Sequence, residues 1–151
     1  MDDQCYVLLL NRPHLNLLGI RKLDKYDCAT LANIIEDLSA LSGSLGIKLS
    51  HFKFHAEHIL IDRIHQVYNN TNFITINPAA LTYTGIILCD AMLIVNISLI
   101  KIYLSNVYVR EPFCHYSYLS DISVNLICGL SAAGIAVLYR QWSNACLYPI
   151  N

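Results

Sequence analysis

Short apolar runs alternate along this chain with longer segments in which apolar residues recur at every third or fourth position. The apolar runs predict β-strands at residues 7–10, 47–54, 73–76, 98–104 and 126–128. Most of these runs are apolar at consecutive positions, which is typical of strands that are buried on both faces. The first run ends at Asn11 and the third at Asn77, each close to a proline that cannot continue a strand.

Helical periodicity predicts helices between the strands. The segment 31–45 places five apolar residues on one face, namely Leu31, Ile34, Ile35, Leu38 and Leu41. Thr30 suits the N-cap position of this helix, and Gly46 suits its end. Similar spacing predicts a second helix over residues 59–67, a third over 88–93 and a last one after the fifth strand.

Alternation of apolar strands with helices indicates an α/β fold, in which a parallel sheet is covered by helices on both faces. In open sheets of this kind the ligand crevice lies outside the carboxyl ends of the strands. Polar residues that follow the strands are therefore the first candidates for a binding site. They are Asn11, His14, Asn77, Ser105 and Asn106.

The composition indicates one apolar domain without affinity for nucleic acid. The 151 residues carry a net charge of −1, and 14% of them are charged, against a usual share of about 25%. This balance gives no electrostatic footprint for nucleic acid or anionic lipid. The hydrophobic share of 55% and the mean hydropathy of +0.43 are high for a small soluble monomer. Membrane insertion and oligomerisation are the two explanations, because a subunit that hides its faces in partners tolerates more apolar surface.

Residues 122–139 approach the length of a membrane span. Asn125, Gly129 and Gly134 interrupt the segment, which favours a strand, a turn and a helix over a spanning helix. The first residues are acidic and lack the basic start of a signal peptide. We therefore expect no membrane segment and a cytoplasmic location. In that compartment, cysteines without regular spacing are expected to be free thiols.

Four motifs follow one another along the chain. They are "LLLNRPHLNLLGIRKLDKY", "INPAALTYT", "IYLSNVYVREPF" and "HYSYLSDISVNLICGL". Their order and spacing resemble the type II 3-dehydroquinate dehydratases, most closely the fungal catabolic ones. The resemblance is strongest over residues 7–140, and it implies a single domain over residues 1–151.

The resemblance implies a flavodoxin-like three-layer sandwich whose five-stranded parallel sheet has the order 2-1-3-4-5. It also implies trimers that assemble into dodecamers, and such a homo-oligomer would account for the apolar surplus. The implied reaction removes water from 3-dehydroquinate to give 3-dehydroshikimate through an enolate, in quinate catabolism. Enzymes of this type use neither a metal nor an organic cofactor, so none is expected here.

By the same resemblance, Tyr26 is the catalytic base and Arg21 is its activator, on a lid that closes over the substrate. A free phenol has a pKa near ~10 and is a poor base at neutral pH. A guanidinium nearby lowers that pKa, as abstraction of a proton α to a carbonyl requires. On position alone, a solvated loop is the favoured interpretation of both residues, and it is the flanking motif that reverses this preference.

Seven further positions correspond to substrate contacts by resemblance: His14, Asn77, Tyr83, Asp90, Leu104, Ser105 and Cys114. The resemblance assigns Asn77 to the substrate hydroxyls and Asp90 to the site of a neighbouring subunit. The substrate carboxylate would be held by backbone N–H groups and a hydroxyl at Leu104 and Ser105, a usual kind of anion site.

The chain departs from the family pattern at the position of the catalytic acid. Tyr103 stands where the family has the histidine that protonates the leaving hydroxyl, and Lys101 replaces the glutamate that orients this histidine. His14, Tyr83 and Cys114 replace an asparagine, a histidine and an arginine. An unpaired ammonium at Lys101, near the end of an apolar strand, would be costly.

Two hypotheses follow from these departures. One is a dehydratase in which Tyr103 or a water stands in for the acid. The other is a catalytically inactive relative that binds cyclic polyols weakly, assembles with an active paralogue, or is the product of a gene that has drifted after its activity stopped being needed. A histidine-rich cluster at His51, His55, Glu57 and His58 lacks the spacing of a zinc site, and we expect no metal there.

Overall fold

The computed structural model describes residues 4–11, 31–78, 85–103, 112, 116–128, 136–137 and 139–141. The helices and strands bounded within these ranges are, in chain order, β1 (Cys5–Asn11), α1 (Leu31–Ser44), β2 (Ile47–Lys53), α2 (Glu57–Gln66), β3 (Phe73–Asn77), α3 (Ile86–Val95), β4 (Ser98–Tyr103) and β5 (Ser123–Cys128). Residues 136–137 and 139–141 are helical as well. The predicted alternation of strands and helices is confirmed.

The strands form one five-stranded sheet in the order β2-β1-β3-β4-β5. Each neighbouring pair is parallel. This is the predicted strand order, and it confirms the α/β class. The carboxyl ends of all five strands therefore lie at the same end of the sheet, where the ligand crevice of such a fold is expected.

β1 is buried on both faces because it supplies alternate residues to two apolar cores. Val7 and Leu9 lie in the core that includes residues of α1, whereas Leu8 and Leu10 lie in the core that includes residues of α2 and α3. Each fully buried aliphatic side chain stabilises the fold by about 1.5–3 kcal/mol. The sheet is thus the middle layer of three, as the sequence predicts.

β5 begins at Ser123, three residues before its predicted start at residue 126. It is an edge strand, and Val124 and Asn125 near its start are exposed. Because an edge strand is partly solvated, its first residues do not read as an apolar run. Within the described ranges no helix is long and apolar enough to cross a membrane.

Three described residues that follow helices lie in the left-handed region of backbone space, and the third of them is Asn96 after α3, with φ of 50°. Gly46, which separates α1 from β2, has φ of +72°, and Asn69, which follows α2, has φ of 67°. Glycine and asparagine adopt this conformation at the lowest cost. The predicted helix ends at Gly46 and Asn69 are confirmed.

The cysteines only partly match the expectation of free thiols. Cys89 and Cys128 are free. Cys5 is disulfide-bonded, so the expectation is wrong for this residue. A disulfide depends on how close two cysteines lie in space, which irregular spacing along the sequence does not reveal.

Candidate active site

Two asparagines lie side by side at the carboxyl end of the sheet. Asn11 ends β1, Asn77 ends β3, and the two residues are register partners. They are 4% and 3% exposed, respectively. The Asn11 Nδ2 and the Asn77 Oδ1 have no hydrogen-bond partner among the described residues. Leaving a buried polar group unpaired costs about 1–3 kcal/mol, so this donor and this acceptor are suited to binding a polar ligand.

Tyr103 lies at the same end of the sheet, where it ends β4. Adjacent strands are spaced by about 4.8 Å, so the ends of β3 and β4 are close neighbours. The Tyr103 side chain is buried, and it follows Lys101 by two positions on the same strand. Side chains two residues apart on a strand share a face, so Lys101 and Tyr103 lie on one side of the sheet.

Lys101 is buried but is not unpaired. Its Nζ donates a 2.7 Å hydrogen bond to the Ser120 Oγ. Burial lowers the pKa of the Lys101 ammonium, and the negative charge of Asp121 offsets part of this effect. The expected cost of an unpaired ammonium is therefore reduced by two partners from the turn that precedes β5. The sequence did not reveal them because they lie in a different element.

Hydrogen bonds fix this turn beside α3 and β4. The Ser117 hydroxyl accepts a 3.2 Å hydrogen bond from the backbone N–H of Leu119, and the Ser123 hydroxyl donates to the Leu119 carbonyl. The Cys89 thiol of α3 donates to the carbonyl of Tyr118 at 3.1 Å. These contacts hold Ser120 and Asp121 where they meet Lys101.

Cys89 is not an activated nucleophile. Burial raises the pKa of its thiol, and the nearby carboxylates of Asp121 and Asp90 raise it further. A thiol needs a lowered pKa to form a thiolate at neutral pH, so the surroundings of Cys89 disfavour nucleophilic catalysis.

Asp90 lies on the exposed side of α3. Apolar residues three or four positions away on the same helix surface are between 59% and 66% exposed: Ile86, Ile87, Leu93 and Ile94. We call these four residues the α3 apolar surface. Asp90 is thus surrounded by an apolar face that no other described residue covers.

The structure places Asn77 and Tyr103 of the predicted site at the same end of the sheet, and it adds Ser120 and Asp121 as partners of Lys101, which precedes Tyr103 on β4. Asn11 is a candidate in the sequence because it ends a strand, but no role is predicted for it. Its burial beside Asn77 indicates that it belongs to the candidate site. Asp90 lies on α3, away from these residues along the chain. The remaining predicted site residues lie outside the described part of the chain: His14, Arg21, Tyr26, Tyr83, Leu104, Ser105 and Cys114.

Comparisons with known proteins agree with the observed fold. The chain matches the family described as dehydroquinase class II over residues 5–141. It is 62% identical over 134 residues to the 3-dehydroquinate dehydratase of Sodalis glossinidius, a match that covers 89% of each chain. It is 55% identical to the enzyme of the same name from Yersinia enterocolitica, again over 89% of each chain.

A solved structure of the same family has the same fold. The type II dehydroquinase of Butyrivibrio crossotus superposes with a TM-score of 0.87 at 29% identity, covering 93% of this chain and 98% of the other. These relatives are bacterial, so they lend no support to the expected nearness to fungal catabolic enzymes.

Proposed function

The chain belongs to the class II dehydroquinase family, and from this membership we propose that it dehydrates 3-dehydroquinate to 3-dehydroshikimate through an enolate. The observation that carries the proposal is the 62% identity over 134 residues with a 3-dehydroquinate dehydratase. The unpaired, buried amide groups of Asn11 and Asn77 support it, because they offer a donor and an acceptor to a substrate rich in hydroxyl groups.

In this proposal Tyr26 removes a proton from the carbon α to the substrate carbonyl. Arg21 favours the phenolate form of Tyr26 by its positive charge, so that the base is available near neutral pH. Of the positions assigned to the substrate by resemblance, Asn77 binds its hydroxyls, and Leu104 and Ser105 bind its carboxylate. The other substrate positions are His14, Tyr83, Asp90 and Cys114.

Tyr103 is the proposed proton donor to the leaving hydroxyl. A neutral phenol with an ordinary pKa near ~10 is a much weaker acid than an imidazolium. Lys101 cannot accept a hydrogen bond while it is charged, so it does not orient an acid as a carboxylate would. A well-placed general acid accelerates a reaction by about 10²–10⁴. We therefore expect this chain to turn over more slowly than a relative that has a histidine at the position of Tyr103.

A second candidate is an inactive family member that binds the substrate or co-assembles with an active paralogue. The pairing of Lys101 with Ser120 favours it, because a structured ammonium replaces the carboxylate expected behind the acid. The cytoplasmic location and the role in quinate catabolism stay predictions of the resemblance.

We further propose that the chain is a homo-oligomer, a dodecamer by resemblance. The α3 apolar surface supports this, since four exposed large aliphatic residues on one helix are unfavourable in contact with water. Asp90, in the middle of that surface, would then face a second copy of the chain.

The experiment that tests the function is an assay of the purified chain with 3-dehydroquinate. The product has a conjugated enone that absorbs in the near ultraviolet, so its formation is followed directly. We expect slow formation that is abolished by Tyr26→Phe and unchanged by Tyr68→Phe, an exposed tyrosine after α2. Turnover that survives Tyr26→Phe would refute the base, and substrate binding without any turnover would favour the inactive relative.

A further inference from the structure

A polar cleft lies at the amino-terminal ends of the strands, at the opposite end of the sheet from Asn77 and Tyr103. It has a volume of about 630 Å³ and runs around the edge strand β2, where residues of α1, β2 and α2 line it. The residues that matter for its chemistry are Tyr6, Lys48, Ser50, Arg63, Gln66 and Thr71. This volume is within the usual range of small-molecule sites, about 300–1,000 Å³.

The lining of the cleft is positively charged. Lys48 and Arg63 are the charged residues of its described lining, and none of the described lining residues is acidic. Hydroxyl and amide groups make up most of the remaining polar lining, including Ser50, Gln66 and Thr71. In a chain whose net charge is −1, two cations without a carboxylate in the same cleft favour an anionic ligand.

Aromatic rings hold both cations in place. The Lys48 Nζ lies 5.4 Å from the centroid of the Tyr6 ring, and the Arg63 Cζ lies 5.8 Å from that of the Phe52 ring. A cation that rests on a ring keeps its N–H groups available for other partners. The two side chains are therefore positioned without using up their donors.

The strand places Ser50 between the two cations. Lys48, Ser50 and Phe52 alternate along β2 and so share one face of the sheet, with Tyr6 opposite Lys48 on β1. Neighbouring side chains on one face of a strand are about 6–7 Å apart. A group that contacts both Lys48 and Arg63 would thus lie over the Ser50 hydroxyl.

The Arg63 guanidinium has N–H groups that are available to a ligand. Its Nη1 donates to the Gln66 Oε1 at 3.3 Å, a long hydrogen bond. Its Nε is buried and donates to none of the residues that the structure describes. A guanidinium presents its donors in a planar fork that matches the oxygens of phosphate or carboxylate, so an oxyanion is the natural partner.

We propose that this cleft binds the phosphate group of a small phosphorylated molecule, between Lys48 and Arg63 and over Ser50. A phosphate monoester carries close to two negative charges at neutral pH, which matches the two cations better than a single carboxylate does. The site goes beyond the proposed dehydration, since its residues lie at the other end of the strands and take no part in that reaction.

The test is calorimetric titration of the intact chain with inorganic phosphate, with ionic strength held constant by sodium chloride. We expect saturable binding that Arg63→Gln and Lys48→Gln each weaken at least tenfold, and that Arg63→Lys weakens less because the charge is retained. Acetate is expected to bind at least tenfold more weakly than phosphate. Lys53→Gln is the matched control, since it removes an exposed lysine from the same strand outside the cleft, and binding should change less than twofold.

Thermal unfolding in chloride alone shows whether each variant is folded, and binding is compared only among folded variants. The absence of saturable phosphate binding by the wild-type chain overturns the proposal. An equal loss in Lys53→Gln also overturns it, because the effect would then be one of overall charge. Binding that persists in Arg63→Gln and is displaced by 3-dehydroquinate would place the phosphate at the catalytic site instead. These readouts measure binding alone, so they stand whether or not the chain turns over 3-dehydroquinate.

Discussion

The ammonium of Lys101 and the hydroxyl of Ser120 are joined by a 2.7 Å hydrogen bond. This contact links the carboxyl-terminal half of β4 to the turn before β5, two residues from the position of Tyr103. It shows how a chain of this family accommodates a lysine beneath the place proposed for the catalytic acid. Two neighbouring residues compensate the buried ammonium: Ser120 supplies the hydrogen-bond acceptor and Asp121 supplies the opposing charge.

Removal of the Ser120 hydroxyl should destabilise the protein through Lys101. We expect Ser120→Ala to lower the free energy of unfolding by about 1 kcal/mol, the usual contribution of such a hydrogen bond at a partly exposed site. In a Lys101→Met background the same substitution should have almost no effect, because there is no ammonium to satisfy. Urea unfolding of the four proteins measures this coupling. Additive effects of the two substitutions would contradict the assignment.

The buried ammonium should also make stability depend on pH. Burial lowers the pKa of Lys101 in the folded protein below its ordinary value of 10.5 in the unfolded chain. The cost of burying the charge is fully present below the folded pKa, and it disappears as pH rises towards 10.5. The free energy of unfolding of the wild type relative to Lys101→Met should therefore increase as the pH rises from neutral towards 10.5. A difference that stays constant across this range would show that Lys101 has an ordinary pKa.

Substitution of Asn77 should weaken the binding of the substrate more than it lowers the free energy of unfolding. Its Oδ1 has no partner among the described residues, so Asn77→Ala removes no hydrogen bond of that oxygen within the described part of the fold. We expect weaker binding of 3-dehydroquinate by about tenfold, which corresponds to one lost hydrogen bond of about 1.4 kcal/mol.

Asn72→Ala is the matched control for this experiment. The Asn72 Oδ1 accepts a 2.8 Å hydrogen bond from the backbone N–H of Tyr6 at the other end of the sheet. Its loss should lower the unfolding temperature and leave substrate affinity unchanged. Equal effects of both substitutions on substrate affinity would refute the role of Asn77.

The α3 apolar surface should be covered by a second copy of the chain. In such an interface the desolvation of a lysine would cost more than its attraction to the neighbouring Asp90 returns, so Ile87→Lys should shift the protein towards smaller species. Light scattering coupled to size-exclusion chromatography measures the mass. Ile59→Lys, on the partly exposed surface of α2, is the control and should leave the mass unchanged. A wild-type protein that is monomeric at all concentrations would rule out this role of α3.

The fold could be predicted because its central strands are buried on both faces and therefore read as apolar runs in the sequence. β1 is apolar at consecutive positions and β3 is interrupted only by Thr75, since both faces of each strand lie in cores, and the strands end at Asn11 and Asn77. β5 was harder to predict, because an edge strand carries exposed residues such as Val124 among its apolar ones. The sheet order itself came from the resemblance and was confirmed by the structure.

The contacts of the candidate site could not be predicted in the same way. The partner of Lys101 is 19 residues away in the sequence, and its position depends on the hydrogen bonds of a turn. The pairing of Asn11 with Asn77 depends on the register between β1 and β3. Both relationships belong to the tertiary structure, which motif spacing does not encode.

The comparison of the wild-type chain with Tyr103→His tests the central claim most directly. The claim is that the family's fold and base are retained while the proton donor to the leaving hydroxyl is weak. We predict that enone formation from 3-dehydroquinate becomes at least tenfold faster in Tyr103→His, with a further gain when Lys101→Glu is added to orient the imidazole. A general acid is worth up to about 10⁴ in rate, which sets the upper bound. A wild-type rate equal to that of both variants would contradict the account.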